Sequence, residues 1–144
     1  MSESDRHKWN RKYEISTGPA SLPSQLITDV ARYLPPTGRA LDVAGGAGRH
    51  AIWLAQRGLN VTLVDVARAG LQIASQRAND SGVTLTTQEL DLEQTLFPEG
   101  PWDLILSSHY LQRSLFDIYP QQLTPGGILV CLQPTLENLQ RHAQ

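Results

Sequence analysis

The chain has 144 residues, 40% hydrophobic and 18% charged, which suits one globular domain with one continuous core and excludes a disordered segment. Twelve Lys and Arg against fourteen Asp and Glu leave a formal charge of -2, which argues against holding nucleic acid or an anionic membrane mainly by charge. No apolar run reaches the roughly 20 residues of a membrane span, the opening Ser2 to Lys8 is too polar for a secretory signal, and Cys131, as the one cysteine, excludes an internal disulfide; a soluble, cytoplasmic domain is expected.

Residues 1–22 read as an N-terminal arm and linker, with Arg6, Lys8, Arg11 and Lys12 on a solvated face and a Ser, Gly and Pro-rich stretch from Ser16 to Pro23. The domain proper is expected over 23–144. Leu26, Ile27, Val30, Ala31 and Leu34 recur at helical spacing, and Pro35-Pro36-Thr37-Gly38 ends that helix. Strands and helices then alternate. Ala40–Ala44 is a short apolar strand broken by Gly45-Gly46-Ala47-Gly48, and Ala51, Ile52, Leu54 and Ala55 continue as a helix that Gly58 stops. Val61–Val64 is a second strand ending at Asp65, followed by a helix through Leu71, Ala74 and Ala78. Val83–Leu90 is β-prone with Asp91 at its end, and Asp103–Leu106 is a fourth strand. Residues 111–123 are mostly helical but divided by Pro120, and Thr124-Pro125-Gly126-Gly127 turns into a fifth strand, Ile128–Leu132. Short, nearly unbroken apolar strands between helices predict a doubly wound α/β fold with a parallel sheet covered on both faces.

Ligands of such sheets bind beyond the carboxyl ends of the strands, at the switch point beside the first strand. Asp42 to Gly48, Asp65, Asp91 and Ser107-Ser108 all fall at that edge. The glycines let a ligand approach the backbone, and the following helix offers free N–H groups. Asp65 lies 17 residues after Gly48, close to the usual offset of an acid that takes both ribose hydroxyls. These features describe a nucleoside site. Gly46-Ala47-Gly48-Arg49-His50-Ala51 also satisfies the dinucleotide fingerprint with Ala in third place, so a nicotinamide dinucleotide stays open at this point. Each residue has a plainer role as well. Asp65 would serve as a helix N-cap, Asp91 as a turn acid, and Asp42 as an acceptor for the glycine-loop backbone. His50, Trp53 and Trp102 read as packing residues, and Cys131 is expected to be buried in its strand.

Five segments in order carry a resemblance. Leu41-Asp42-Val43-Ala44-Gly45-Gly46-Ala47-Gly48-Arg49 resembles the first motif of the class I S-adenosylmethionine-dependent methyltransferases, and Val64-Asp65-Val66 their ribose acid. Leu90-Asp91-Leu92 resembles the region that meets adenine, Trp102 to Ser108 the fourth-strand motif, and Leu123-Thr124-Pro125-Gly126-Gly127 the turn before the fifth strand. The resemblance implies a Rossmann-like methyltransferase fold with S-adenosyl-L-methionine as cofactor. It implies cofactor contacts at Asp42, Ala44, Gly45, Gly46, Gly48, Arg49, Asp65, Val66, Asp91, Leu92 and Ser107, no metal, and a small-molecule methyl acceptor. His109 and Tyr110, just past the fourth strand, are the candidates for acceptor contact or proton transfer. The finer likeness is to the tellurite-resistance-type small-molecule branch, where an aromatic and basic arm such as Trp9–Tyr13 folds over the cofactor.

Two departures stand out. Ala44 occupies the position of the family's first glycine. The family also adds two strands after the fifth, and the 12 residues from Gln133 to Gln144 are too few for them, leaving an open edge that would suit a second copy or a partner chain. The alternatives are therefore a catalytically silent methyltransferase-fold partner module and an NAD(P)-binding Rossmann domain.

Overall fold

In a computed structural model the structure describes residues 23, 25–93, 97–108 and 114–132. The expected N-terminal arm, His109 and Tyr110, and the segment 133–144 lie outside the described residues. Five strands form one sheet: β1 (Arg39–Val43), β2 (Asn60–Asp65), β3 (Thr86–Glu89), β4 (Trp102–Ser108) and β5 (Leu123–Leu132). Their order is β3-β2-β1-β4-β5 and every pairing is parallel. The chain reverses direction across the sheet after β3, so β1 and β4 flank the switch point where the fold places ligands.

Burial explains which strands were legible. After Arg39, β1 is buried throughout, so its apolar run faces helices on both sides. Ala40, Val61, Leu63, Leu104 and Leu106 turn to one face and pack with Ala51 and Leu54 of α2 (Arg49–Gln56) and Leu71 and Ala74 of α3 (Arg68–Asp80). Leu41, Val43, Val64 and Ile105 turn to the other face and pack with Trp102, Leu115 and Tyr119. Trp102 is a packing residue, as expected. At the amino end of the sheet Arg39 stacks 4.3 Å over its ring, and the Arg39 N–H donates to Asp103 Oδ2 at 2.8 Å.

Four expectations need correction. The first helix is only α1 (Gln25–Asp29), followed by a 3₁₀ turn over Ala31–Tyr33, because Leu34 precedes Pro35 and must be extended, with ψ 147°. Ile27 and Leu34 are buried while Leu26 is exposed. The third strand starts at Thr86, not Val83. Val83 N–H is taken by Ala78 O (2.9 Å) and Gly82 N–H by Asn79 O (3.1 Å), a Schellman cap that commits Val83 to ending α3. What remains, Thr-Thr-Gln-Glu, is a polar strand at the sheet edge, where one side needs no apolar cover. The fifth strand extends back to Leu123: Trp102 pairs with Leu123 and Leu104 with Ile128, so Thr124–Gly127 bulge out within the strand. Cys131 is exposed, because β5 forms an edge of the described sheet. The division at Pro120 is present, as α4 (Leu115–Ile118) passes into a 3₁₀ turn at Tyr119–Gln122. Among the described residues no helix is long and apolar enough to cross a membrane.

Candidate functional site

The carboxyl edge of the sheet is set by register. Val43 pairs with Val64 on one side and with Ser107 on the other, so the chain leaves β1 into the glycine turn between the ends of β2 and β4. The turn needs left-handed backbone at Ala44 (φ 57°), Gly46 (φ 60°) and Gly48 (φ 86°). Ala44 N–H continues the ladder to Val64 O at 2.9 Å. Ala44 is the one described non-glycine residue with positive φ, which identifies why the resembling family has glycine there. An L-residue in this region carries about 1–2 kcal/mol of strain. Ala44→Gly relieves it but frees the unfolded chain by about 0.4–1 kcal/mol, so the variant is expected to match wild type or exceed it by up to about 1 kcal/mol in urea unfolding. A loss greater than that would show that the Ala44 methyl, which packs against the second core face, outweighs the strain.

Gly48 closes the turn and starts α2. A Cβ there would stand 2.7 Å from the Ala74 Cβ, so α3 rests directly on this glycine. Gly48→Ala therefore costs about 2–4 kcal/mol from backbone strain and overpacking together. Ala74→Gly in the same chain should recover the steric part in a double-mutant cycle and leave the backbone part.

Asp65 holds the turn in place. It ends β2 almost fully buried, its Oδ2 accepting the Gly46 N–H at 2.9 Å and its Oδ1 the Ala67 N–H at 3.0 Å. It is not the N-cap of α3: that position is Ala67, with no side-chain cap. Burial pushes its carboxyl above the ordinary carboxylate value, and the N–H groups of Ala67, Gly46 and Val66 pull it back down.

Asp42 behaves differently from the expected loop acceptor. It is completely buried, and among the described residues neither carboxylate oxygen has a hydrogen-bond partner. Its carboxylate lies directly beneath the turn, since a Cβ on Gly45 would come within 2.5 Å of Asp42 Oδ2 and 2.2 Å of Leu63 Cδ1. Loss of water, and then the charge of Asp65, push its carboxyl up to about 8.

The remaining residues line the same edge. Leu90 N–H donates to Asp65 O at 2.9 Å, which brings Asp91 and Leu92 beside the end of β2. Asp91 is buried and its Oδ1 accepts the Glu93 N–H at 3.0 Å, the turn role expected of it, while Leu92, like Ala44, packs against the second core face. Val66 is buried and Arg49 half-buried at the start of α2. Ser107 is buried at the end of β4 and exchanges a side-chain hydrogen bond with the Tyr119 hydroxyl. For Tyr119 the sequence signal is a tyrosine closing the Leu115-Phe116-Asp117-Ile118 turn of helix, since a buried hydroxyl needs a partner. At the start of α3, the Arg68 guanidinium pairs with Glu89 at 2.8 Å on the outer rim. The structure thus gathers Asp42, Ala44, Gly45, Gly46, Gly48, Arg49, Asp65, Val66, Asp91, Leu92 and Ser107 at one edge.

Comparison with known proteins agrees with this geometry. Residues 40–127, more than half of the chain, match a family described as a methyltransferase domain. The tRNA 5-carboxymethoxyuridine methyltransferase of Escherichia coli (strain K12) is 35% identical over 118 residues, covering 72% of this chain and 44% of that protein. The ubiquinone biosynthesis O-methyltransferase of Maricaulis maris is 30% identical, covering 65% and 39%. Among solved structures, an S-adenosylmethionine-dependent methyltransferase from Mesorhizobium loti superposes with a TM-score of 0.60 at 28% identity, covering 72% of this chain and 51% of that one. A Geobacter sulfurreducens S-adenosylmethionine-dependent methyltransferase, in complex with S-adenosyl-L-homocysteine, shares the fold at a TM-score of 0.67 and 18% identity, covering 86% and 54%. The chain spans about two fifths of the length of the curated relatives it matches. These relatives range across tRNA and quinone methyltransferases and do not select the tellurite-resistance-type branch. S-adenosyl-L-methionine is the cofactor the family uses. With a parallel sheet in the order the fold demands and a matching family over its central 88 residues, the chain belongs to the methyltransferase-domain family, within the class I S-adenosylmethionine-dependent methyltransferases.

Proposed function

We infer that this chain binds S-adenosyl-L-methionine at the glycine turn and transfers its methyl group to a small-molecule acceptor. The observation that carries the cofactor reading is Asp42: a fully buried carboxyl without a partner, under a turn whose glycines admit a ligand, suits a cationic nucleoside better than a doubly anionic dinucleotide. Asp65 takes the ribose hydroxyls. Its oxygens accept the Gly46 and Ala67 N–H groups, with the Val66 N–H also turned toward them, and a carboxylate has acceptor capacity beyond these, so ribose need not displace the bonds that hold the turn. Asp91 and Leu92 border adenine, Gly45, Gly46, Gly48 and Arg49 present backbone to the methionine portion, and Ser107 faces the acceptor side.

When bound, S-adenosyl-L-methionine supplies a methyl already activated by its sulfonium. The chain's own task is then to orient an acceptor in line with it and to keep water out, and positioning of this kind supplies much of the acceleration. A base is needed only if the acceptor loses a proton, and His109 or Tyr110 following β4 would hold that proton. The small-molecule acceptor rests on the near-neutral charge of the chain, -2 overall, which offers little attraction to a polyanion. Incubation with methyl-labelled cofactor and either total tRNA or a pool of small metabolites tests it. Label recovered in the low-mass fraction is expected, and label in tRNA would replace this acceptor class.

A further inference from the structure

The charge of the chain is small in sum and uneven in place. Residues 1–57 carry eight of the twelve Lys and Arg and five of the fourteen Asp and Glu, a net of +3; residues 58–144 carry four and nine, a net of -5. Asymmetry of this kind points to an anionic partner on the positive side. On the fold that side includes α1, the 3₁₀ turn after it and the outer face of α2.

The apolar pattern of this first segment is wider than the core needs. Ile27 and Leu34 are buried. Leu26, Val30 and Tyr33 form a second stripe beside them at helical spacing, with Val30 half-buried, Leu26 51% exposed and Tyr33 58% exposed. Of the three large apolar side chains exposed among the described residues, two are in this stripe. Cations frame it. The Arg32 guanidinium lies 4.7 Å over the Tyr33 ring and donates to the Tyr33 hydroxyl at 2.6 Å. Arg57, at the end of α2, donates to Ala31 O at 3.1 Å and lies 4.8 Å over the Trp53 ring, which ties the two segments into one surface. Neither guanidinium pairs with an acid among the described residues. The one acid of α1, Asp29, accepts from the Gln25 amide at 2.7 Å.

Apolar side chains beside unneutralised guanidiniums match the headgroup boundary of a bilayer, where the first enter the acyl region and the second meet lipid phosphates. Single-stranded RNA matches less well, because a guanidinium already covers one face of each of the Tyr33 and Trp53 rings and Leu26 offers no platform for a base. Residues 1–22 bring four cations and three acids, so their charge does not complement this surface. We propose that the surface formed by α1 and the outer face of α2 docks on an anionic lipid bilayer, Leu26 and Tyr33 entering the headgroup boundary and Arg32 and Arg57 meeting the phosphates. Arg49 and Arg57 lie eight residues apart, about 12 Å along α2, so docking holds the glycine turn near the bilayer. The inference does not depend on the cofactor reading above.

Co-sedimentation of the full chain with phosphatidylcholine vesicles, and with vesicles in which about a quarter of the lipid is phosphatidylglycerol, tests it. Binding about tenfold tighter to the anionic vesicles is expected, weakening as salt rises. At about fivefold per cation, Arg32→Gln together with Arg57→Gln should weaken it about 25-fold. Leu26→Ser, at an exposed position outside the core, should weaken it about fivefold. Urea unfolding shows that each variant is folded. Added tRNA should leave the wild-type chain on the vesicles. No binding to anionic vesicles, equal binding to neutral ones, or unchanged binding by the folded variants overturns the proposal. Release by tRNA overturns it too, and gives the surface to RNA. S-adenosyl-L-homocysteine binding by the same protein stands or falls separately.

Discussion

Replacing Asp42 by asparagine should stabilise the ligand-free protein, and the gain should widen as pH rises. In the native state the Asp42 carboxyl is pushed up to about 8, whereas the unfolded chain returns it to 3.8. Between those values the native protein holds a proton that the unfolded chain has lost. The stability tied to that proton is fully present below the unfolded value and is lost as pH climbs toward the folded one. Asparagine imitates the neutral acid and titrates nowhere in this window. Wild type and Asp42→Asn should therefore be similar near pH 4, and between pH 5 and 7 the variant should gain about 3 kcal/mol relative to wild type. Asp65 titrates in the same sense in both proteins, so its contribution largely cancels in the difference. Urea unfolding of both proteins at pH 5, 6 and 7 measures the difference. A constant difference across that range would mean that Asp42 is ionised in the native state and the account of the turn is wrong. A side chain that lowers stability at neutral pH at the centre of the candidate site is what the functional role proposed for Asp42 requires.

The second large effect is expected at Asp65. Asp65→Ala removes the acceptor of two N–H groups, at Gly46 and Ala67, in a part of the fold closed to water. Orphaned donors cost about 1–3 kcal/mol each, offset by no longer burying a carboxylate, so a net loss of about 2 kcal/mol is expected. Binding should suffer more than stability. Two hydrogen bonds from ribose hydroxyls to a charged acceptor are each worth about 1.5–3 kcal/mol, so affinity for S-adenosyl-L-homocysteine should drop at least about a hundredfold. Asp65→Asn keeps one oxygen and should fall between. Calorimetry at a temperature where all three proteins are folded separates the two effects. Unchanged affinity in a folded Asp65→Ala protein would reduce Asp65 to a strut for the glycine turn.

The central strands were legible because β1, β2 and β4 lie under helices on both faces, which leaves an apolar run no other reading. β3 was half legible. Its residues are polar because it lies at the edge, and the Val83 expected to begin it is spent on capping α3. The stop at Gly58 could be read directly, since Gly58 at φ 107° and the buried Leu59 form the same kind of cap on α2. The cluster of site residues at one edge also followed from the strand–turn–helix order. Which acid holds the turn did not. Sequence offers Asp42 as the acceptor for the glycine-loop backbone and Asp65 as a ribose acid or helix cap; only packing shows that it is Asp65 that reaches Gly46, 19 residues earlier, and that Asp42 is left facing Leu63 and the underside of Gly45. Ala44 carried a signal as an oddity of the motif, and its φ of 57° supplies the reason. The role of Tyr119 was not legible, because the Ser107 hydroxyl it meets lies on β4, 12 residues earlier in the chain, while Tyr119 sits in the 3₁₀ turn after α4.

The central claim is that the glycine turn with Asp42 and Asp65 holds an adenosyl ligand. Thermal unfolding with S-adenosyl-L-homocysteine at about 100 times its dissociation constant, with NADH in parallel, tests it most directly. Stabilisation of roughly 2.7 kcal/mol is predicted with S-adenosyl-L-homocysteine and none with NADH. Stabilisation by NADH instead, or by neither, would contradict it.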